Sequence, residues 1–195
     1  MTSKLSLPAR GVVAGAICLA ILGGMIVGHA WPLWTGRTVT MKVTPVDPRD
    51  LFRGEYVRLG TAANRLRVGA AAVPPAADNR VVVQPLGNGL EEPARGSVVY
   101  VQVQPSATGD YVPVTISATR VADALNLRGR IRYVTGRGDL DVDYGLDAFY
   151  VQEGTGPVLE QALRDGRNVQ MEVAIAASGQ SRIRSLLVDG VRVGH

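Results

Sequence analysis

A mainly β domain with one short α-helix, built as an antiparallel sandwich or partly closed barrel and preceded by a single N-terminal transmembrane helix, is what this sequence predicts. Three observations carry that expectation: a continuous apolar run near the start, short alternating β-branched runs after it, and one amphipathic stretch bounded by Pro and Gly. The 195 residues divide into a tail (1–10), a membrane anchor (11–34) and one extracytoplasmic domain (35–195). The last piece is long enough for one hydrophobic core.

The anchor reads GVVAGAICLAILGGMIVGHAWPLW, with His29 its only acidic or basic side chain. Roughly 20 apolar residues cross about 30 Å of hydrocarbon. Trp31 and Trp34 stand where an aromatic belt sits, and Pro32 predicts the end of the regular helix. Gly24 and Gly28 form one GxxxG spacing, the type that supports a homodimer through the helix, although glycine is common in membrane helices in any case. A cleavable signal peptide is the competing reading, with Lys4 and Arg10 before the run and the small-x-small triplet Gly28-His29-Ala30 near its end. Its apolar core exceeds the usual signal length, which favours an uncleaved anchor. The basic residues on the two sides, Lys4 and Arg10 against Arg37 and Lys42, give only a slight bias toward a cytoplasmic N-terminus.

The elements of the domain follow in order. Residues 38–46 (TVTMKVTPV) alternate and stop at Pro45, as a strand does. Residues 61–79, rich in Ala and Pro and without a clear period, are expected to be a loop. Strands are expected at 80–83, 97–104 and 111–118. Arg128, Arg130 and Arg132 then alternate with apolar residues, as do Asp139, Asp141 and Asp143 beyond the Gly136-Arg137-Gly138 turn. A hairpin there would set three arginines opposite three aspartates on one face. Calcium is the functional reading of the aspartates, but a strand spreads them in a line instead of converging them, so a charged ladder is expected and no metal. Residues 156–166 predict a helix with Pro157 at N1, Gly166 past its end, and Val158, Leu159, Ala162 and Leu163 as its apolar stripe. Strands at 169–176 and 182–188, around a Ser178-Gly179-Gln180 turn, close the chain.

Composition bounds the function. A net charge of +4 comes from arginines scattered among acids, with few aromatics, so nucleic acid is not expected as a partner. Cys18, the only cysteine, lies in the anchor, which leaves the domain without disulfide or thiolate chemistry. His29 and His195 are the only histidines and Lys4 and Lys42 the only lysines. No His-based triad, zinc site or Ser–Lys dyad can assemble in the core, and neither a catalytic residue nor a cofactor is assigned. A carboxylate pair such as Asp47 with Glu55 leaves a hydrolase formally open.

The most specific stretch runs Asp47, Pro48, Arg49, Asp50, then Arg53, Gly54, Glu55, Tyr56 and, two residues on, Leu59. Asp47 suits a cap, Pro48 N1, Asp50 a capping-box acid and Gly54 a left-handed stop. The segment therefore reads as a structural corner held by caps and ion pairs, or as a binding motif whose arginines take an acidic group.

Residues 47–59 (DPRDLFRGEYVRL) resemble the signature of the GDYXXLXY family of membrane-anchored proteins, with Glu55 in place of Asp and Thr61 in place of the last Tyr. Residues 96–101, 127–130, 144–147, 149–154 and 186–190 resemble its further blocks. The resemblance implies an anchor in the inner membrane and a domain facing the periplasm. It also implies a partnership with a multi-pass membrane protein, and it supplies no catalytic residues. The expected role is a non-enzymatic accessory or interaction domain, with a binding module for a polar or acidic ligand as the alternative.

Overall fold

A computed structural model of the chain describes residues 7–44, 56–69, 81–85, 94–135, 138–150 and 155–193. Helix α1 (Leu7–Thr35) leads into strand β1 (Arg37–Thr44), and Arg10–Thr35 is long and apolar enough to cross a membrane. The helix continues three residues past Pro32, further than the sequence predicts. The Pro32 carbonyl accepts the Gly36 N–H at 2.9 Å, and the Trp31 carbonyl accepts the Thr35 hydroxyl at 2.9 Å. Proline removes a donor from its own position but leaves its carbonyl free to close the final turn.

Two β assemblies share one core. The first is a five-stranded antiparallel sheet of β1, β3 (Gly60–Thr61), β11 (Val169–Ile175), β12 (Ser181–Val188) and β13 (Val191–Val193), in the order β13-β12-β11-β1-β3. The second is a closed six-stranded barrel of β4 (Arg65–Val68), β5 (Val81–Pro85), β6 (Val98–Pro105), β7 (Tyr111–Ser117), β8 (Asn126–Val134) and β9 (Asp139–Asp143). A short ladder of β2 (Tyr56–Arg58) with β10 (Ala148–Tyr150) stands beside them. Alternation decides the faces: Val39, Met41 and Val43 of β1 and Val99, Val101 and Val103 of β6 are buried, joining Leu127, Leu140 and Met171 in one continuous cluster.

The mainly β class with one short helix holds, and within the barrel β4–β5 and β5–β7 pair in parallel. Two expectations need correction. Residues 61–69 are not loop: Thr61 ends β3 and β4 follows after one turn, held because Asn64 Oδ1 accepts the Thr61 N–H (2.8 Å) and hydroxyl (2.9 Å). Residues 70–79 lie outside the described part. Helix α2 (Thr155–Arg164) forms where expected and buries Leu159 and Ala162, but Val158 is 52% exposed and leaves the stripe. Its end has Schellman geometry, with Gly166 at φ 69°, its N–H bonded to the Leu163 carbonyl (3.2 Å) and the Arg167 N–H to the Ala162 carbonyl (2.9 Å).

Candidate functional site

Of the motif singled out in the sequence, Asp47, Pro48, Arg49, Asp50, Arg53, Gly54 and Glu55 lie outside the described residues, and so does the corner they are expected to build. The motif's far end is described. Tyr56 stands opposite Tyr150 in the β2–β10 ladder. Leu59 is buried, and its N–H donates to the Asp147 carbonyl at 2.9 Å. Thr61 is also buried, opposite Val43 of β1. This half of the motif is a strand stitched into the core.

The Arg–Asp hairpin forms, but not as a three-on-three ladder. Arg130 does face Asp143, whereas a register shift between Ile131 and Tyr133 puts Tyr133 opposite Asp141. One extra residue on a strand reassigns every pair beyond it. Arg132 accordingly bridges Asp143 (3.1 Å) and Asp147 (2.6 Å), while Asp139 pairs with Arg67 of β4 at 3.5 Å. Burial opposes the charge on Arg132, but its bonds to Asp147 and Asp143 prevail and hold its pKa above the ordinary value. Asp139 and Asp143 are tied to different arginines, and among the described residues no cluster of three His, Cys, Asp or Glu converges as metal ligands do.

With Arg132 turned to the acids, the other two arginines of β8 face a different neighbour. Arg128 and Arg130 share a recess of about 300 Å³ with Arg182 of β12, above Tyr144, Gly145 and Ser181. The turn joining β11 to β12 is pinned to β8, since the Arg128 N–H donates to the Gly179 carbonyl at 2.8 Å. Gly145, at φ 69°, curls beneath, and its N–H donates to Asp143 at 2.8 Å. Arg130 gives one N–H to the Gly96 carbonyl at 2.9 Å. Arg182 spans two neighbours: one N–H reaches the Ser181 carbonyl (2.9 Å) and another lies 3.1 Å from Nδ1 of His29, in α1. Its Nε is buried without a hydrogen-bond partner. Three guanidinium groups thus meet one carboxylate, and that carboxylate is already engaged by Arg132. The recess is suited to an anion.

Arg128 and Arg130 were visible in the sequence as half of a ladder. Arg182 was visible only as a strand residue, because the crossing that brings β12 to β8 leaves no local signal. Arg182 also belongs to a joint between helix and domain. Arg184 bonds the Leu33 carbonyl, and Gly36 packs so closely on β11 that an added Cβ would meet Pro32 O and lie 2.9 Å from the Ile175 carbonyl carbon.

The family model described as GDYXXLXY protein matches residues 18–186. The chain belongs to this family. No curated protein and no solved structure matches it. In this GDYXXLXY protein the resembling blocks fall on residues with evident structural work. Gly96 has φ 89° and takes the Arg130 bond. Gly129 makes room for Tyr144, whose ring carbons lie 2.8 Å from where a Cβ would be. Asp189 and Gly190, at φ 50° and 81°, close the β12–β13 hairpin.

Proposed function

We propose that this GDYXXLXY protein is a single-pass protein of the inner membrane, held by α1, with its C-terminal domain in the periplasm. There it serves as a non-enzymatic accessory or interaction surface beside a multi-pass membrane protein. The observation that carries this reading is the bare apolar helix: the most apolar 18-residue stretch within Arg10–Thr35 has a mean hydropathy of 2.3, and none of that stretch is buried by the rest of the chain. Such a surface calls for lipid or another helix to cover it. The arginines at 49 and 53 are the motif's polar contribution to a docking face.

Detergent extraction of the full-length chain with its partners, followed by their identification, tests the proposal. Co-purification of a multi-pass membrane protein is the expected result, lost on R49A/R53A substitution while the domain stays folded. A chain found only as a lone soluble species after cleavage near Ala30 would sink it. A second reading, a binding module for a polar or acidic ligand, draws its support from the arginine recess at Arg128, Arg130 and Arg182.

A further inference from the structure

The helix length sets the depth of the arginines beside it. At about 1.5 Å per residue, a helix needs roughly 20 residues to cross about 30 Å of hydrocarbon. The span Arg10–Thr35 has 26 residues. With Arg10 at one surface, its last turn lies beyond the hydrocarbon, among the headgroups of the opposite leaflet, a layer about 5 Å or more thick. Trp31 and Trp34, both exposed, mark the same depth. Arg184 is bonded to Leu33 of that last turn, and Arg182 touches His29 one turn earlier. The face of the domain carrying Arg182 and Arg184 is therefore held at the boundary between hydrocarbon and headgroups, within reach of the lipid phosphates.

We propose that Arg128, Arg130 and Arg182 bind the phosphodiester headgroup of an anionic phospholipid in the leaflet adjoining the domain. This rests on the reading of α1 as a membrane-crossing helix. Charge selects the ligand. Among the described residues, Arg128 is exposed and its guanidinium has no partner, Arg130 spends one N–H on Gly96, and Arg182 adds its positive charge to the same recess without a carboxylate partner. Planar guanidinium forks match a phosphate's oxygens in geometry as well as charge. Position selects the source, since Arg182 belongs at once to the recess and to the joint with α1, so the recess opens beside the lipid.

The test uses the full-length chain in vesicles of phosphatidylcholine with an equal share of phosphatidylglycerol. Carbonate extraction establishes whether the chain is integral. Detergent purification and native mass spectrometry then count the lipids that stay bound. Phosphatidylglycerol should be retained in preference to phosphatidylcholine. Retention should fall roughly tenfold in R128Q and in R182Q, the loss expected for one charge-assisted bond. R128Q alters an exposed side chain away from the helix joint, so its result stands even if R182Q unfolds. Equal retention of the two lipids by a carbonate-resistant chain, or a preference unchanged in R128Q, overturns the lipid site and leaves the anchor intact. Displacement of phosphatidylglycerol by millimolar inorganic phosphate overturns the lipid assignment in favour of a free anion. Release of the chain by carbonate overturns the membrane reading and this site with it.

Discussion

Gly129 sits in the middle of β8 with no turn to justify it. An added Cβ would run into Val142 Cγ1 and stand 2.8 Å from the ring of Tyr144. The ring lies across the glycine, and its hydroxyl donates to the Ala63 carbonyl at 2.9 Å. G129A should cost roughly 1–3 kcal/mol through overpacking, measured as a lower midpoint in denaturant unfolding with an unchanged slope. Asn64 is the other single residue on which much depends. Besides accepting from Thr61, its amide donates to the Val142 carbonyl at 3.1 Å. N64A should cost about 1–3 kcal/mol by stranding these partners, and amide exchange should rise first in β3 and β9. Neither role was legible in the sequence, because a glycine's need is set by the residue opposite it, here 15 positions away.

At the scale of elements, alternation and turn residues located β1, β6, β7, β8, β9, β11 and β12, and capping located α2. What was missed is short or paired at a distance. Strands of two to four residues such as β3, β4 and β13 are too brief for a period to emerge. The parallel β4–β5 and β5–β7 ladders depend on crossovers that no local pattern announces. The Asp189-Gly190 pair was a hairpin signal that would have found β13. The bulge that diverts Arg132 from the ladder had no such signal.

The β11–β12–β13 sheet also carries a charge with a consequence for acid stability. Glu172 of β11 accepts from the Ser185 hydroxyl of β12 and from Arg192 of β13, at 3.0 Å and 3.2 Å, and these bonds hold its pKa below the usual carboxylate value despite some burial. The stabilisation is present above about pH 4.3, where the unfolded chain's glutamate ionises. It is lost as pH falls through the lower, folded value. E172Q should therefore be less stable than the parent at neutral pH, with the gap closing below pH ~4, as followed by thermal unfolding across that range.

For the molecule as a whole, alkaline stability is limited at the seam of the barrel. Tyr144 is buried, and burial, reinforced by the charge of Asp141, pushes its phenol well above the ordinary tyrosine value. Below about pH 10 the phenol is neutral in both states. Above it the unfolded chain ionises while the folded one keeps its proton, so stability falls as pH rises. Y144F should lose about 1 kcal/mol near neutrality from the missing bond but decline less steeply above pH ~10, measured by denaturant unfolding at both pH values.

The joint at Gly36 sets how the two halves move. A helix that enters a domain through a free linker can lean without disturbing it. Here the last turns are clamped by Arg182, Arg184 and the close seat of Gly36 on Ile175. The helix and the sheet it seats on therefore act as one lever. In the proposed membrane setting, a tilt of the shaft imposed by bilayer thickness or by a neighbouring helix would swing the far end of the barrel through an arc.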